Sequence, residues 1–177
     1  LKAASIQTTI HANRVYAERF PYPLHLGVTA TGPFIEGITK SSIGIGILLE
    51  QGIGDIIRVS LTAPAVEEIR VGKYILSALN KRDVRPKIFS CPTCSRCEVN
   101  LISLVKKITG EIEKRKNEGR RFPASIAIMG CEVNGPGEAQ QAEWGVAFGR
   151  TKAVLFSKSK IIETVPADIS VSALVEK

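Results

Sequence analysis

All four cysteines of this chain lie in two short loops whose backbones are stiffened by glycine and proline. The first loop, C-P-T-C-S-R-C, occupies residues 91–97, and the second, G-C-E-V-N-G-P-G-E, occupies residues 130–138. Thiolates three positions apart around a tight turn can point at one centre, as a metal ion or an iron–sulfur cube requires of a short loop. Proline fixes a backbone angle, and glycine and proline together favour tight, well-defined turns. Two constrained loops that both carry cysteine therefore predict one shared metal or cluster site.

The spacing of the cysteines leaves the nature of that centre open. Zinc sites usually present a second C-x-x-C or a histidine pair, whereas His11 and His25 lie far upstream of both loops. Iron–sulfur ligation tolerates a single ligand far along the chain, such as Cys131. From the residues alone Cys97 is the favoured fourth ligand, because thiolate is the usual cluster ligand. Buried cysteines or disulfides are the competing interpretations, and the absence of an apolar leader gives a secretory context no support.

Composition restricts the classes of partner. The 177 residues are 44% hydrophobic and 23% charged, which is typical of a folded soluble protein, and no apolar run approaches a membrane span. The net charge of +7 permits acidic partners such as nucleic acid, phosphorylated metabolites or an acidic protein. Aromatic residues amount to 6% and none lies among the basic residues, so a stacking platform for single-stranded nucleic acid is not supported. We expect a cytoplasmic protein, or one of an organelle stroma in a eukaryote, without nucleic-acid or membrane partners. Because the chain begins at Leu1 and not at Met, we expect a fragment or a processed product.

The first half of the chain reads as alternating helices and strands. The predicted elements are a helix over 6–20, a strand over 24–29, a helix capped by Ser41 or Ser42 and ending near Gly52, a strand over 56–61 and a helix from Pro64 to about Leu79. This alternation predicts a parallel α/β arrangement. Arg58 and Ser60 are predicted to share one face of their strand, because side chains alternate with a period of two.

The second half predicts a small α+β domain built around the two cysteine loops, with a boundary near Asp83. Its predicted elements are strands over 88–90, 125–129, 144–148, 153–156 and 161–165, a helix over 101–118, a helical turn beginning at Glu138 and a final helix beginning at Pro166. The 101–118 helix is amphipathic, and its lysine-rich face (Lys106, Lys107, Lys114 and Lys116) is interpreted as solvated.

The motifs C-P-T-C-S-R and M-G-C-E-V-N-G-P-G-E resemble the iron–sulfur domain of the 4-hydroxy-3-methylbut-2-enyl diphosphate synthases. Those enzymes act in the methylerythritol phosphate route to isoprenoids. Upstream, the runs 25–29, 40–46, 54–55 and 58–61 are similar to the last strands of that family's barrel. The resemblance implies the C-terminal strands and helices of a TIM-type (β/α)8 barrel in residues 1–83, followed by a 4Fe–4S cluster domain in residues 84–177. A barrel alone takes roughly 250 residues, so about five strands are expected to be missing and the chain alone is expected to be inactive.

The resemblance also implies a ligand set. In the family a 4Fe–4S cluster is held by three cysteines and a glutamate, which fall here on Cys91, Cys94, Cys131 and Glu138. A carboxylate is a harder and weaker ligand for iron than thiolate, so Glu138 can leave and open one iron to substrate. Asn134 matches the family's asparagine beside the cluster, and Cys97 becomes a spare thiol.

The substrate-binding residues implied by the resemblance are Lys2, Arg58 and Ser60, which would grip a diphosphate through two cations and a hydroxyl. A weaker assignment falls on Lys40. One departure concerns the family pattern G-[IV]-T-E-A-G, which here reads G-V-T-A-T-G over residues 27–32. The acidic residue is replaced by Ala30, and Glu36 could take its place only in a rearranged loop. This departure weighs against full activity even in an intact parent enzyme.

The implied reaction is reductive ring opening and dehydroxylation of 2-C-methyl-D-erythritol 2,4-cyclodiphosphate. Electrons would arrive one at a time through the cluster from a ferredoxin or flavodoxin. The family's barrel and cluster domains come from different subunits of a homodimer. Two other classes stay open: an electron-transfer module with Cys91, Cys94, Cys97 and Cys131 as ligands, and a zinc-stabilised nucleic-acid-binding module favoured by the +7 charge. The pairing of Arg58 with Ser60 argues against the first.

Overall fold

Helices and strands alternate along most of the described chain, which ends in three successive strands, and together they form a mixed α/β fold. The computed structural model describes residues 1–84, 86–158 and 160–167, which form two units, Leu1–Val84 and Arg85–Lys177. The helices are α1 Ile6–Arg19, α2 Phe34–Glu50, α3 Ala65–Ala78, α4 Leu101–Asn117 and α5 Gly135–Glu138. The strands are β1 His25–Leu26, β2 Ile56–Ile57, β3 Lys87–Ser90, β4 Ser125–Met129, β5 Trp144–Phe148, β6 Lys152–Ser157 and β7 Lys160–Pro166. None of the helices in the described residues combines the length and apolarity needed to cross a membrane.

In the first unit, β1 and β2 form a parallel pair, and the predicted parallel α/β character is confirmed. Leu26 lies opposite Ile57, and the backbone N–H of Arg58 donates to the Leu26 carbonyl at 2.9 Å. Helices α1, α2 and α3 accompany the pair, and the core contains the fully buried Leu26 and Leu48. The predicted strands 24–29 and 56–61 are too long, since each strand covers two residues. Arg58 and Ser60 therefore follow β2 instead of lying within it.

The start of α2 differs from the prediction. The helix begins at Phe34, directly after Pro33, so Ser41 and Ser42 lie inside it and cap nothing. Ser41 is fully buried. Gly37 lies in the first turn, where the position of a Cβ is 2.7 Å from Leu61 Cδ2, so the Leu61 side chain packs over this glycine. The helix thus runs through a residue that local propensity assigns to a loop.

In the second unit, five strands form one sheet in the order β3-β4-β5-β6-β7. The pairs β3–β4 and β4–β5 are parallel, and β5–β6 and β6–β7 are antiparallel. All five residues of β4 are buried, because helices cover both faces of the sheet. Ile126 and Ile128 pack with the inner face of α4, whereas Ala127 and Met129 pack with Ala139 next to α5.

Two predictions in this unit are wrong. Pro166 does not begin a helix but ends β7, opposite Lys152, and a proline is tolerated there because β7 is an edge strand of the described sheet. The remainder of that predicted helix falls on residues 168–177, outside the described residues. Glu138 does not begin a helical turn but is the last residue of α5.

Candidate functional site

The two cysteine loops leave the same edge of the second unit's sheet. Strand β3 ends at Ser90, immediately before Cys91, and β4 ends at Met129, two residues before Cys131. The strands are parallel neighbours, with Ser90 opposite Ile128. Carboxyl ends of adjacent parallel strands meet at one edge, so the sheet itself brings the two loops together.

The predicted ligands line one small cavity of about 30 Å³. The predicted site residues among its lining are Cys91, Cys94, Cys97, Cys131, Asn134 and Glu138. All four cysteines lie in the described part of the chain, and each is a free thiol there. Cys94 and Glu138 are exposed, whereas Cys91 and Cys131 are half-buried. The structure therefore gathers residues from both loops, separated by up to 47 positions in the chain, around one point.

Backbone amides point at two of the sulfurs. The Gly130 N–H donates to Cys91 Sγ at 3.3 Å, and the Asn134 N–H donates to Cys131 Sγ at 3.3 Å. Both donors belong to the second loop, which therefore directs N–H groups at one sulfur of each loop, as the hydrogen bonds around a metal ligand do. The observed contact of Asn134 is made by its backbone.

Cys97 has a different environment from Cys91 and Cys131. Its thiol donates to the Val99 carbonyl at 3.3 Å, and its N–H closes a turn on the Cys94 carbonyl at 3.0 Å. A Cβ at Gly130 would lie 2.5 Å from Cys97 Sγ, so the sulfur packs directly against this glycine. The Cys97 sulfur therefore faces a carbonyl oxygen, whereas the Cys91 and Cys131 sulfurs face backbone N–H groups.

The glycines of the second loop have unequal roles. A Cβ at Gly135 would lie 2.8 Å from Met129 Cβ and 2.9 Å from Ala147 Cβ, closer than real Cβ atoms approach. Gly135 therefore lets the loop lie flat on β4 and β5. A Cβ at Gly137 would have no described neighbour within 4 Å, so this residue faces open space. Packing of Gly135 thus fixes the first half of the N-G-P-G-E motif. Glu138 lies three residues beyond this packed glycine.

The donor set around the small cavity combines thiols with one carboxylate. Within the described residues, no group of three or more His, Cys, Asp or Glu side chains is arranged to hold a metal ion. In an iron–sulfur cube each ligand binds a different iron, which separates the ligand atoms further. Thiols and one carboxylate around a shared cavity, with amides directed at two sulfurs, match that chemistry.

In the first unit, two predicted diphosphate ligands lie close together. A Cβ at Gly27 would lie 2.8 Å from the Arg58 carbonyl oxygen and 3.1 Å from Lys2 Cε, so Lys2 lies over the backbone next to Arg58. Partial desolvation lowers the pKa of His25, and the positive charges of Lys2, Arg58 and the N-terminal amine lower it further. No role in substrate binding was predicted for His25. Its position at the start of β1, in a run similar to the family's barrel, would have indicated one. Ser60 is half-buried, and its carbonyl accepts a hydrogen bond from the Thr31 hydroxyl.

The loop that contains Ala30 lies near a carboxylate. Ala30 has a φ of 50°, in the left-handed region. Glu36 Oε2 lies 3.0 Å from the position of a Cβ at Gly32 and 3.8 Å from Lys40 Nζ. The Glu36–Lys40 pair at the start of α2 therefore lies near the loop in which the family's acidic residue is replaced.

Comparison with known proteins agrees with both halves of the resemblance. Residues 1–73 match the family described as GcpE TIM-barrel domain, and residues 87–177 match the GcpE protein C-terminal domain. A relative from Thermodesulfovibrio yellowstonii is 46% identical over 177 residues, covering 100% of this chain and 49% of the relative. A relative from Geobacter sulfurreducens is 46% identical over 175 residues, covering 99% and 48% respectively.

A third relative, from Corynebacterium glutamicum, is 48% identical over 168 residues, covering 95% of this chain and 43% of the relative. All three carry the name 4-hydroxy-3-methylbut-2-en-1-yl diphosphate synthase (flavodoxin). The chain spans about half the length of these curated relatives. The predicted resemblance is confirmed. With family matches over 1–73 and 87–177, this chain belongs to the GcpE family.

Proposed function

We propose that this chain is the C-terminal part of a 4-hydroxy-3-methylbut-2-en-1-yl diphosphate synthase. Its substrate would be 2-C-methyl-D-erythritol 2,4-cyclodiphosphate, which is reduced by two electrons and loses water. Residues 1–83 would be the C-terminal part of the barrel and residues 84–177 the 4Fe–4S domain. The observation that carries the proposal is the cavity in which Cys91, Cys131 and Glu138 meet at the carboxyl edge of β3 and β4. The names of the curated relatives support it.

The residues proposed to hold the cluster are Cys91, Cys94, Cys131 and Glu138. The bound cluster would supply single electrons and an iron site open to an oxygen ligand. Glu138 is exposed and ends a short helix, so its side chain can turn aside without disturbing the packed residues behind it. Gly130 and Asn134 would hold the two half-buried thiolates through their amides. The all-cysteine alternative is disfavoured by the surroundings of Cys97, whose sulfur packs on Gly130 and faces the Val99 carbonyl oxygen, an acceptor that would repel a thiolate.

The diphosphate would bind in the first unit. Lys2 and Arg58 supply two positive charges that both act on His25, and the Ser60 hydroxyl is the proposed additional donor. Glu36 is the proposed substitute for the missing acid near Ala30, because its carboxylate approaches the same loop. A flavodoxin is the proposed electron donor, since relatives are named for it, with ferredoxin as the alternative. We also propose a homodimer in which barrel and cluster domains from different subunits combine.

Iron binding tests the cluster assignment directly. Anaerobic reconstitution should give about four irons per chain and a broad visible absorption band. Cys131→Ser should lose most of the iron, whereas the matched thiol variant Cys97→Ala should retain it. Full iron retention in Cys131→Ser would remove the basis of the assignment. Bleaching by Cys97→Ala but not by Glu138→Ala would show an all-cysteine site.

Diphosphate titration tests the anion site separately. Two charge-assisted contacts supply only a few kcal/mol, so binding to this chain should be weak, on the order of millimolar, and should weaken further with salt. Backbone amide resonances near Arg58 and Ser60 should shift. Arg58→Ala should abolish these shifts, and the matched variant Arg19→Ala, at the exposed end of α1, should preserve them. Shifts along Lys106–Lys116 instead would favour a nucleic-acid partner.

A further inference from the structure

Two larger cavities border the small ligand-lined cavity, and they share different residues with it. One, of about 490 Å³, shares Cys91, Met129 and Glu138 with it and is called here the Glu138 cavity. The other, of about 520 Å³, shares Arg96, Cys131 and Asn134 and is called the Cys131 cavity. The two larger cavities have no described lining residue in common. The cluster site therefore has two separate approaches.

We propose that the Cys131 cavity is the docking surface for an acidic electron-carrier protein. This proposal rests on the proposed function, because it assigns a surface for the reductant of the same cluster site. In the step concerned, the carrier is oxidised by one electron and the cluster is reduced by one. No covalent bond is made or broken.

The two cavities differ in the charged residues that line them. Among the described residues lining the Glu138 cavity, Glu138 is the only charged side chain. The Cys131 cavity contains the exposed Arg96 and two carboxylates, each of which is paired with a cation. Glu98 lies 3.8 Å from Arg150, and Glu132 lies 3.6 Å from Lys152.

In both ion pairs the cation is more exposed to solvent than the carboxylate. The Arg150 side chain is 78% exposed against 49% for Glu98, and the Lys152 side chain is 55% exposed against 31% for Glu132. Together with Arg96, three cations accompany two carboxylates, and the cations reach further into solvent. An acidic protein would be attracted to this side, because complementary charge steers association and fixes orientation.

An apolar contact lies at the centre of the same surface. Val133 is 83% exposed and lies between Cys131 and Asn134 in the chain. Exposed apolar residues within a polar rim are typical of protein contacts. A carrier seated on Val133 would place its redox group near the Cys131 sulfur. Since electron transfer slows steeply with distance, this position favours rapid reduction without blocking the Glu138 cavity.

The test measures reduction of the cluster in the reconstituted chain by stopped-flow absorbance, with a reduced flavodoxin of net negative charge. Arg150→Glu combined with Lys152→Glu, two changes outside the lining of the cluster cavity, should slow the second-order reduction at low salt by about tenfold or more and remove most of its salt dependence. Iron content should stay unchanged. Reduction by photogenerated deazariboflavin radical, a small neutral donor, should change less than about twofold, because it needs no charged docking surface.

Two matched variants complete the test. Lys106→Glu combined with Lys107→Glu makes the same charge change on exposed residues of α4 and should leave the flavodoxin rate within about twofold of the parent. An equal loss in this variant would overturn the proposal, because net charge alone would explain the effect. Slowing by Gln140→Glu with Gln141→Glu, together with no effect of the changes at Arg150 and Lys152, would move docking to the Glu138 cavity. Failure of the parent chain to assemble a cluster would instead refute the proposed function.

Discussion

Substitution of alanine for Gly135 should destabilise the second unit selectively. The added Cβ would lie 2.8 Å from Met129 Cβ and 2.9 Å from Ala147 Cβ, whereas carbon atoms pack best at about 3.5–4.0 Å. Both neighbours are β-carbons of paired strands, so relief requires movement of the backbone and not of a flexible side chain. Overpacking of this kind costs about 1–3 kcal/mol. For a unit of this size, a loss of about 2 kcal/mol corresponds to a fall in Tm of roughly 8–16 °C.

The same loop provides the control, since Gly137→Ala makes the identical chemical change two residues further on, where no described atom lies within 4 Å. The chain has one tryptophan, Trp144 on β5, so its fluorescence during thermal unfolding reports on the second unit. Gly137→Ala should unfold within about 0.5 kcal/mol of the parent chain. Equal stability of Gly135→Ala and Gly137→Ala would refute the steric explanation of the N-G-P-G-E motif. Iron uptake measured in parallel should fall only in Gly135→Ala, because the displaced loop carries Cys131 and Glu138.

Three further predictions concern the supports of each unit. Glu143→Ala should lower the free energy of unfolding by about 1–3 kcal/mol in chemical denaturation, because the carboxylate accepts the Ala124 N–H at 2.7 Å. Asp55→Ala should accelerate hydrogen exchange of the Leu24 amide, which donates to Asp55 Oδ2 at 2.7 Å. Diphosphate should raise the pKa of His25 in an NMR titration, because a bound anion offsets the nearby cations that lower it. The matched control for Glu143→Ala is Gln141→Ala, and the control for Asp55→Ala is Glu50→Ala. The control for His25 is the titration of the His11 ring resonances in the same spectra. An effect of equal size in a control would contradict the corresponding explanation.

Two strands of the second unit, β4 and β5, were predictable because each is a nearly continuous apolar run. The strands Ser125–Met129 and Trp144–Phe148 begin and end at the predicted residues. Burial on both faces leaves few polar interruptions, and a run bounded by turn residues then marks the strand clearly. The meeting of the two cysteine loops was predictable from the loops themselves, since each carries cysteine beside a proline or glycine and follows a predicted strand.

Elements decided by contacts distant in sequence were not predictable. The first turn of α2 places Gly37 beneath Leu61, a contact between distant parts of the chain that no local pattern reveals. Pro166 continues a strand because β7 lies at an edge, and the edge position is a property of the whole sheet. The environment of Cys97 likewise depends on its contacts with Val99 and Gly130. Spacing alone gives Cys97 the same standing as Cys94, although their surroundings differ.

The strand order of the second unit also implies an order of assembly. Strands β5, β6 and β7 are joined by short turns and pair as successive antiparallel neighbours, so their contacts close small loops and can form early. The parallel pair of β3 and β4 must wait until the intervening chain, with α4, has crossed over. That pairing is also the step that brings the loops after Ser90 and Met129 to one edge. A metal centre bound by both loops would therefore bind late in folding. Its binding would stabilise the pairing of β3 with β4, the strand pair that forms last.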